Sequence, residues 1–134
     1  MSKFLGQLKL RMWSPEEVSD AGYDTSVYDL LEGFSYLSDK FGLIEVPSGF
    51  VTDFASIPRA AWAIIDPEDP RIAFPSVIHD FLYSTRGKLP FSTVTRENAD
   101  YVLREAMEAC GAGSFIRNAV YQAVRVGGNS HWSD

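Results

Sequence analysis

Residues Phe74–Gly87 read FPSVIHDFLYSTRG, and this segment is the starting point for predicting the helical half of the molecule. Its apolar run, with Pro75 in the first turn and a glycine beyond the end, predicts a helix over Ile72–Tyr83. That helix places His79 and Asp80 in the middle of the apolar run. Buried polar side chains need hydrogen-bond partners. We therefore expect other parts of the chain to supply partners for this pair.

Three other helices are predicted around this one. Pro58 is tolerated in a first helical turn, because its missing N–H would have no partner there, and Ser56 is a suitable cap. Apolar residues recur at helical spacing between Thr95 and Gly111, and two glycines follow Val126. The predicted helices run from Ser56 to Ile65, over Ile72–Tyr83, from Thr95 to Cys110, and over Phe115–Val126 after a Ser114 cap.

The first 53 residues have the pattern of strands. Alternating, branched and aromatic residues in Lys3–Trp13, Tyr28–Leu37 and Leu43–Asp53 predict three or four antiparallel strands. The polar, turn-rich insert Ser14–Ser26 is predicted to be a mobile loop. The expected fold class is α+β, with a small antiparallel β-sheet packed against about four α-helices, two of which form an antiparallel pair.

The chain is expected to form one domain over residues 1–134. Residues 1–53 are predicted to be mainly β, residues 54–128 mainly α, and residues 129–134 a flexible tail. No linker separates the two halves, so we expect them to share one core.

Charge and composition narrow the function. The formal net charge of −6 disfavours a nucleic-acid partner, because phosphate backbones would be repelled. The single cysteine, Cys110, permits no intramolecular disulfide, so a disulfide-stapled secreted scaffold is not expected. No segment has the apolar core of a signal peptide or the length of a membrane span. We expect a protein that folds in the cytosol and meets a membrane, if at all, from solution.

The predicted helix pair suggests a catalytic dyad. His79 and Tyr83 share one face of their helix, whereas Asp80 points about 100° away. Asp100 lies beside the apolar stripe of the next helix, within reach of the first. A carboxylate fixes the tautomer of an imidazole, so His79 with Asp100 would act as a general base on water. Asp80 would then be free to hold a cation on the same side.

The order HDxxY, followed by AD on a later helix, resembles the active-site helix pair of phospholipases A₂. The resemblance covers residues 76–107. It implies that His79 activates water and that Asp80 binds calcium. It also implies that Tyr83 supports the network and that Asp100 orients His79. A phospholipid or a membrane surface would then be the partner.

A second resemblance covers nearly the whole chain. The segments VPSGFVTDFASIPR, VIHDFLY, NADYVLREAM and AVRVGG, in this order, resemble a phage and prophage family, the domain-of-unknown-function family 1353. This resemblance implies a small phage-encoded protein in the cytoplasm of an infected bacterial host or in the virion, with other phage proteins as partners. It implies no particular activity.

Segment Gly49–Arg59 is the nearest positional counterpart of the calcium loop of phospholipases A₂, although it lacks the glycine-rich motif of that loop. Its candidate binding residues are Asp53 and Ser56, next to the proposed cation, and Arg59, which could bind an anion or phosphate. In the structural alternative, Asp53 and Ser56 form only a strand-to-helix corner in which Ser56 is the N-cap.

Structural roles stay open for the other candidates as well. His79 could be a satisfied core histidine, and Asp80 could pair with Arg86 or Arg125. Asp100 near a helix start is favoured by the helix dipole alone.

Three classes of function follow, and the sequence leaves open whether the protein is an enzyme. The first is a hydrolase of ester bonds, acting on lipid and dependent on calcium. The second is a non-catalytic virion or assembly component, in which the same residues lock two helices together. The third is a module that binds a host protein through the acidic region Ser14–Asp29.

Overall fold

The computed structural model describes residues 1–63, 65–90 and 92–132. Within these residues the chain forms six short strands and five α-helices, so the predicted α+β class is confirmed. The strands are β1 (Lys3–Leu5), β2 (Leu10–Met12), β3 (Tyr28–Leu30), β4 (Phe34–Ser38), β5 (Gly42–Val46) and β6 (Val51–Thr52). The helices are α1 (Pro15–Asp20), α2 (Pro70–Ser84), α3 (Arg96–Ala109), α4 (Ser114–Gly127) and α5 (Asn129–Trp132).

The described strands form two antiparallel sheets of three strands each, in place of the single sheet expected. One sheet has the order β1-β4-β5 and the other β2-β3-β6. The predicted strand Lys3–Trp13 is split between the two sheets, and Gly6 with φ 90° lies at the break. Such a positive φ favours glycine and lets the chain turn from one sheet to the other. The predicted strand Tyr28–Leu37 is divided in the same way into β3 and β4.

Helix α1 lies where a mobile loop was expected over Ser14–Ser26, so that expectation is wrong for residues 15–20. The Ser14 hydroxyl accepts a hydrogen bond from the Glu17 backbone N–H, and the Glu17 carboxylate accepts one from the Ser14 N–H. This reciprocal capping satisfies two free donors of the helix start. Arg11 binds both Glu17, at 3.0 Å, and Asp29, at 3.1 Å, so part of the acidic region is already paired.

The predicted helix from Ser56 to Ile65 is replaced by a short 3₁₀ helix over Arg59–Ala63. Ser56 is not its N-cap, because the Ser56 hydroxyl points at α2. Helix α2 begins earlier than predicted, with Asp69 as its N-cap and Pro70 in the first position.

Helices α3 and α4 lie close to their predicted positions. Thr95 caps α3, and its hydroxyl accepts a hydrogen bond from the Asn98 N–H at 3.1 Å. The N-cap of α4 is Gly113, so the predicted Ser114 cap is wrong by one residue.

Residues 129–132, assigned to a flexible tail by the sequence, form α5. The Trp132 ring packs edge-to-face on Tyr83 of α2, with 5.1 Å between ring centroids. Residues 133 and 134 of the predicted tail lie outside the described part of the chain.

Helix α2 lies at the centre of the molecule and contacts α3, α5, β5 and β6. Its buried side chains are Ile72, Ala73, Pro75, Ser76, Val77, Ile78, His79, Asp80, Leu82 and Tyr83. Val77, Ile78, Leu82 and Tyr83 join residues of the β1-β4-β5 sheet and of α3 in the larger core cluster, whereas Ile72 belongs to the second cluster. Side chains buried in this way are shielded from solvent, so His79 and Asp80 need protein partners.

Candidate functional site

His79 is fully buried and has a hydrogen-bond partner on each ring nitrogen. Its Nε2 atom lies 2.7 Å from Oδ1 of Asp100 on α3. Its Nδ1 atom lies 2.9 Å from Oγ of Ser56, in the segment between β6 and the 3₁₀ helix. The structure therefore brings the predicted pair of His79 and Asp100 together and adds a hydroxyl on the opposite side of the ring.

Asp100 is the acceptor at the centre of the site and is completely buried. Oδ1 accepts a second hydrogen bond from the Tyr83 hydroxyl at 2.6 Å, and Oδ2 accepts one from Nη1 of Arg125 at 2.7 Å. Nη1 of Arg96 lies 3.8 Å from Oδ2. Burial by itself would raise the pKa of Asp100, but the hydrogen bonds that it accepts lower the pKa below its usual value. Asp100 is therefore an ionised carboxylate.

Arg96 and Arg125 join α4 to this carboxylate, and sequence reasoning did not assign them to it. Arg96 also donates to the backbone carbonyls of Val124 and Arg125, at 3.2 Å and 3.3 Å, near the end of α4. Arg125, considered as a partner of Asp80, pairs with Asp100 instead. The i, i+4 spacing of Arg96 and Asp100 was a usable signal, whereas the position of Arg125 depends on how α4 packs.

Asp80 lies on the other side of α2 and is hydrogen-bonded to three groups. They are the hydroxyls of Thr52 and Ser56 and the Ser56 backbone N–H, the last at 3.0 Å. Burial is the largest influence on the pKa of Asp80 and raises it, and the negative charge of Asp53 adds to that rise. The hydrogen bonds to Ser56 and Thr52 and a positive charge on His79 act against it. Thr52 was missed by sequence reasoning, although its inward position on β6 follows from strand alternation.

The corner between β6 and the 3₁₀ helix aims Ser56 at α2. The Asp53 carboxylate accepts a hydrogen bond from the Ala55 N–H at 3.0 Å, which closes a local turn. Phe54 has φ 59°, in the left-handed region that is unfavourable for an aromatic residue. Its N–H donates to the Thr52 hydroxyl at 3.1 Å, and its ring is buried, so the conformation is held from both sides.

Arg59, the third candidate binding residue, lies apart from this network. Its Nη2 atom is 3.4 Å from Oδ1 of Asp24, and its guanidinium lies 5.7 Å from the ring centroid of Trp62. The side chain is more than half exposed. Of the three candidate binding residues, Ser56 belongs to the site, Asp53 lies at its edge and Arg59 lies at the surface.

The calcium role that the resemblance implies for Asp80 can be tested against its surroundings. Calcium takes six to eight oxygen ligands with lone pairs directed at the ion. Both Asp80 oxygens already accept hydrogen bonds, and the Ser56 N–H points at one of them. In the described ranges, no cluster of three His, Cys, Asp or Glu side chains is placed to hold a metal. The residues as arranged do not fit a calcium ion.

The site consists of a hydroxyl, an imidazole and a carboxylate, each hydrogen-bonded to the next. Ser56, His79 and Asp100 are linked in the order that serves nucleophilic catalysis in serine hydrolases. The Ser56 hydroxyl occupies the point at Nδ1 where the resemblance to phospholipases A₂ would put water. The arrangement can move a proton from a serine to a histidine whose tautomer is fixed by a carboxylate.

One known protein family matches most of this chain. The family described as "Protein of unknown function (DUF1353)" matches residues 28–124, a range that holds Thr52, Ser56, His79, Asp80 and Asp100. The comparisons with curated proteins and with solved structures found no match. No helix in the part of the chain that the structure describes is long and apolar enough to span a bilayer. The chain belongs to the DUF1353 family of proteins of unknown function.

Proposed function

We propose that this protein is a hydrolase of ester bonds in which Ser56 is the nucleophile, His79 the general base and Asp100 the group that orients His79. The observation that carries the proposal is the position of the His79 ring, 2.9 Å from the Ser56 hydroxyl and 2.7 Å from the Asp100 carboxylate. A histidine placed in this way both accepts a serine proton and keeps its other nitrogen protonated.

The reaction follows from the two contacts of the ring. Nδ1 of His79 takes the proton of the Ser56 hydroxyl while Oγ attacks the ester carbonyl carbon, and the Asp100 carboxylate stabilises the imidazolium that forms. The tetrahedral adduct collapses to an acyl-serine, and the departing alcohol takes the proton from His79. Water then attacks the acyl-serine by the same proton transfers and releases the acid.

The burial of the site residues determines the side from which a substrate can reach Ser56. His79 and Asp100 are 0% exposed, whereas Ser56 and Asp80 keep 4% and 8% of their surface exposed. An ester would therefore approach from the corner that carries Ser56, and that corner has to open for the reaction. Opening at this point is consistent with a segment that contains a strained residue, Phe54.

The setting and the substrate are also part of the proposal. The resemblance of several ordered motifs to phage and prophage proteins supports a phage-encoded protein that acts in the cytoplasm of an infected bacterium or in the virion. The resemblance of the helix pair to phospholipases A₂ favours a phospholipid ester at a membrane surface. The proposed reaction includes no step through calcium, because the oxygens of Asp80 are engaged.

A fluorophosphonate probe tests the nucleophile directly. We expect one probe molecule per chain, bonded to Ser56 Oγ with loss of fluoride, because His79 makes this hydroxyl nucleophilic. The Ser56→Ala variant should not react, and His79→Gln should react about 10² times more slowly. The measurement is intact mass against time, followed by peptide mapping.

The matched control is Ser48→Ala, which removes an exposed hydroxyl that donates to the Leu31 carbonyl and should leave labelling unchanged. Added calcium and a chelator should also leave the rate unchanged. Hydrolysis that survives in Ser56→Ala but is lost in His79→Gln would return the role of nucleophile to water. The absence of both labelling and ester hydrolysis would contradict the proposed function.

Complete burial favours a second candidate, a non-catalytic virion or assembly component, or a host-binding module. Both ring nitrogens of His79 have partners, and neither His79 nor Asp100 has exposed surface. A network satisfied in this way would fix α2, α3 and α4 in one arrangement and leave the outer surface for contacts with other proteins.

His79→Gln is expected to lower the free energy of unfolding by about 1–3 kcal/mol, since glutamine leaves a buried partner unsatisfied. Urea unfolding at neutral pH measures the loss. His131→Gln is the control, because His131 is exposed on α5 and should unfold like the native chain. Together with an unreactive Ser56, the loss would favour the non-catalytic candidate. An unchanged stability in His79→Gln would contradict the view that the network locks the helices.

A further inference from the structure

The network around Ser56 contains more hydrogen bonds than its hydroxyls can supply with hydrogens. Three contacts lie in a row: Thr52 Oγ1 with Asp80 Oδ2, Asp80 Oδ1 with Ser56 Oγ, and Ser56 Oγ with His79 Nδ1. Each contact is a hydrogen bond only if it contains a hydrogen, and the two hydroxyls bring one each. The Thr52 oxygen accepts from the Phe54 N–H, so its own hydrogen is free for Asp80. One more proton must reside on Asp80 or on Nδ1 of His79.

The Asp100 carboxylate that faces His79 already has a cationic partner. The Asp100 carboxylate faces His79 from α3, but it is already paired with Arg125 from α4 and lies 3.8 Å from Arg96 of α3. The negative charge of Glu97, also on α3, acts on Arg125 as well, so Asp100 belongs to a group of paired charges and is not a lone carboxylate facing the ring. Tyr83, on the same helix as His79, donates its hydrogen to Asp100 and brings no negative charge.

The surroundings of Asp80 favour the proton there. The groups that touch its carboxyl from the corner are uncharged hydroxyls and one backbone N–H. The nearby charge from the same corner is that of Asp53, which opposes a second negative charge. A buried carboxyl whose direct contacts are uncharged tends to keep its proton. Burial is the largest cause of the raised pKa of Asp80 and outweighs the opposing hydrogen bonds and the charge of His79.

We propose that Asp80 is a positioning residue that works as a neutral acid: it donates a hydrogen bond to Ser56 Oγ, so that the hydroxyl hydrogen of Ser56 points to Nδ1 of His79. The proposal rests on the assignment of Ser56 as the nucleophile. A protonated carboxyl that serves as a hydrogen-bond donor is a known device of enzyme sites. An ionised Asp80 would instead accept the Ser56 hydrogen and take it away from His79.

In this role Asp80 carries a proton, where the resemblance to phospholipases A₂ implied a calcium ion. The acid holds the serine oxygen at its position and, when His79 removes the serine hydrogen, donates to the oxygen that becomes negative. Thr52 completes the arrangement, because its hydroxyl fixes the second oxygen of Asp80.

Nuclear magnetic resonance of the native chain locates the proton without any substrate. With carbon-13 in the aspartate carboxyls and nitrogen-15 in the histidine rings, we expect a protonated carboxyl at Asp80 at pH 7. We also expect a neutral His79 ring with its hydrogen on Nε2. The Asp80→Asn spectrum assigns the carboxyl signal, and the Ser56→Ala spectrum tests whether the Nδ1 signal depends on the serine.

The rate of probe labelling against pH tests the positioning role. In the native chain the rate should fall several-fold as Asp80 loses its proton, with the same midpoint as the Asp80 carbon signal. Asp80→Asn should lack this decline, because an amide has no such proton to lose. Asp69→Asn is the matched control, since Asp69 is a partly exposed carboxylate paired with Arg71, and it should keep the decline.

The outcomes separate this proposal from the proposed function. A carboxylate signal for Asp80 at pH 7, together with a doubly protonated His79 ring, would overturn the neutral acid even if Ser56 is labelled. A neutral Asp80 with an unreactive Ser56 would refute the hydrolase and support the hydrogen-bond arrangement as a structural one. A decline that persists in Asp80→Asn would refute the positioning role.

Discussion

Replacing Asp100 by asparagine is expected to lower the free energy of unfolding by about 3–5 kcal/mol. The Asp100 carboxylate accepts hydrogen bonds from His79, Tyr83 and Arg125 without any exposed surface. Asparagine offers one acceptor oxygen and places an N–H₂ group against the remaining donors, so the partly buried Arg125 guanidinium loses its counter-charge. Urea unfolding of the native and variant chains at pH 7 gives the difference.

Asp69→Asn is the matched control for that measurement. Asp69 also binds an arginine, Arg71, at 2.7 Å, but the pair lies at the surface and asparagine caps a helix as well as aspartate does. Its effect should be much smaller. Equal losses in Asp69→Asn and Asp100→Asn would show that burial of the Asp100 network contributes nothing special to stability.

The pH dependence of the Asp100 effect has a defined sign. Because the folded state lowers the pKa of Asp100, its contribution is fully present above the ordinary carboxyl range and is lost as the pH falls through the lowered value. The difference between the native chain and Asp100→Asn should therefore be constant near neutral pH and shrink in acid. A difference that grows in acid would contradict an ionised Asp100.

Gly87→Ala should destabilise the protein by about 2–5 kcal/mol, from two separate causes. Gly87 has φ 74°, where an L-residue is strained by about 1–2 kcal/mol. A Cβ atom there would also lie 1.7 Å from the backbone carbonyl oxygen of Val94, a clash that only movement of the chain can relieve. Overpacking of this kind adds about 1–3 kcal/mol.

Gly111→Ala separates the two causes. Gly111 has φ 86°, but a Cβ atom there would meet nothing within 4 Å, so only the backbone strain should appear. Thermal and urea unfolding of both variants measure the contrast. Similar losses in the two variants would mean that the segment after α2 shifts easily and that the contact with Val94 does not constrain it.

The helix pair and its polar contacts were accessible from sequence because they depend on spacing alone. A period of 3.6 residues puts His79 and Tyr83 on one face, and the next helix lies beside it, so Asp100 was expected within reach. The structure places all three side chains in contact. Their catalytic roles stay predictions.

The partners of Nδ1 and of Asp80 were not accessible in the same way. Ser56 reaches both because the chain turns at Phe54 through a positive φ, and no glycine marked that turn. A serine before Ile57-Pro58 therefore had the ordinary signature of a helix cap. Arg125 was equally hidden, since its contact with Asp100 depends on the packing of α4 against α3.

Other differences came from signals that competed in the sequence. The capping pair of Ser14 and Glu17 was present in the insert, but the surrounding glycine, serine and aspartate residues favoured a loop. Gly6 interrupted an alternating pattern without ending it, so two strands in different sheets had the appearance of one.

The hydrogen bonds around Asp100 and Ser56 join four separate parts of the chain: the corner after β6, α2, α3 and α4. No one of these parts can move away without stranding a buried polar group on another, so each opening of the network is costly and rare. Amide hydrogens of α2 near His79 should then exchange with solvent only in rare, large-scale openings. For a catalyst this means that the frequency of such openings, and not the proton transfers at His79, would limit how often a substrate is turned over.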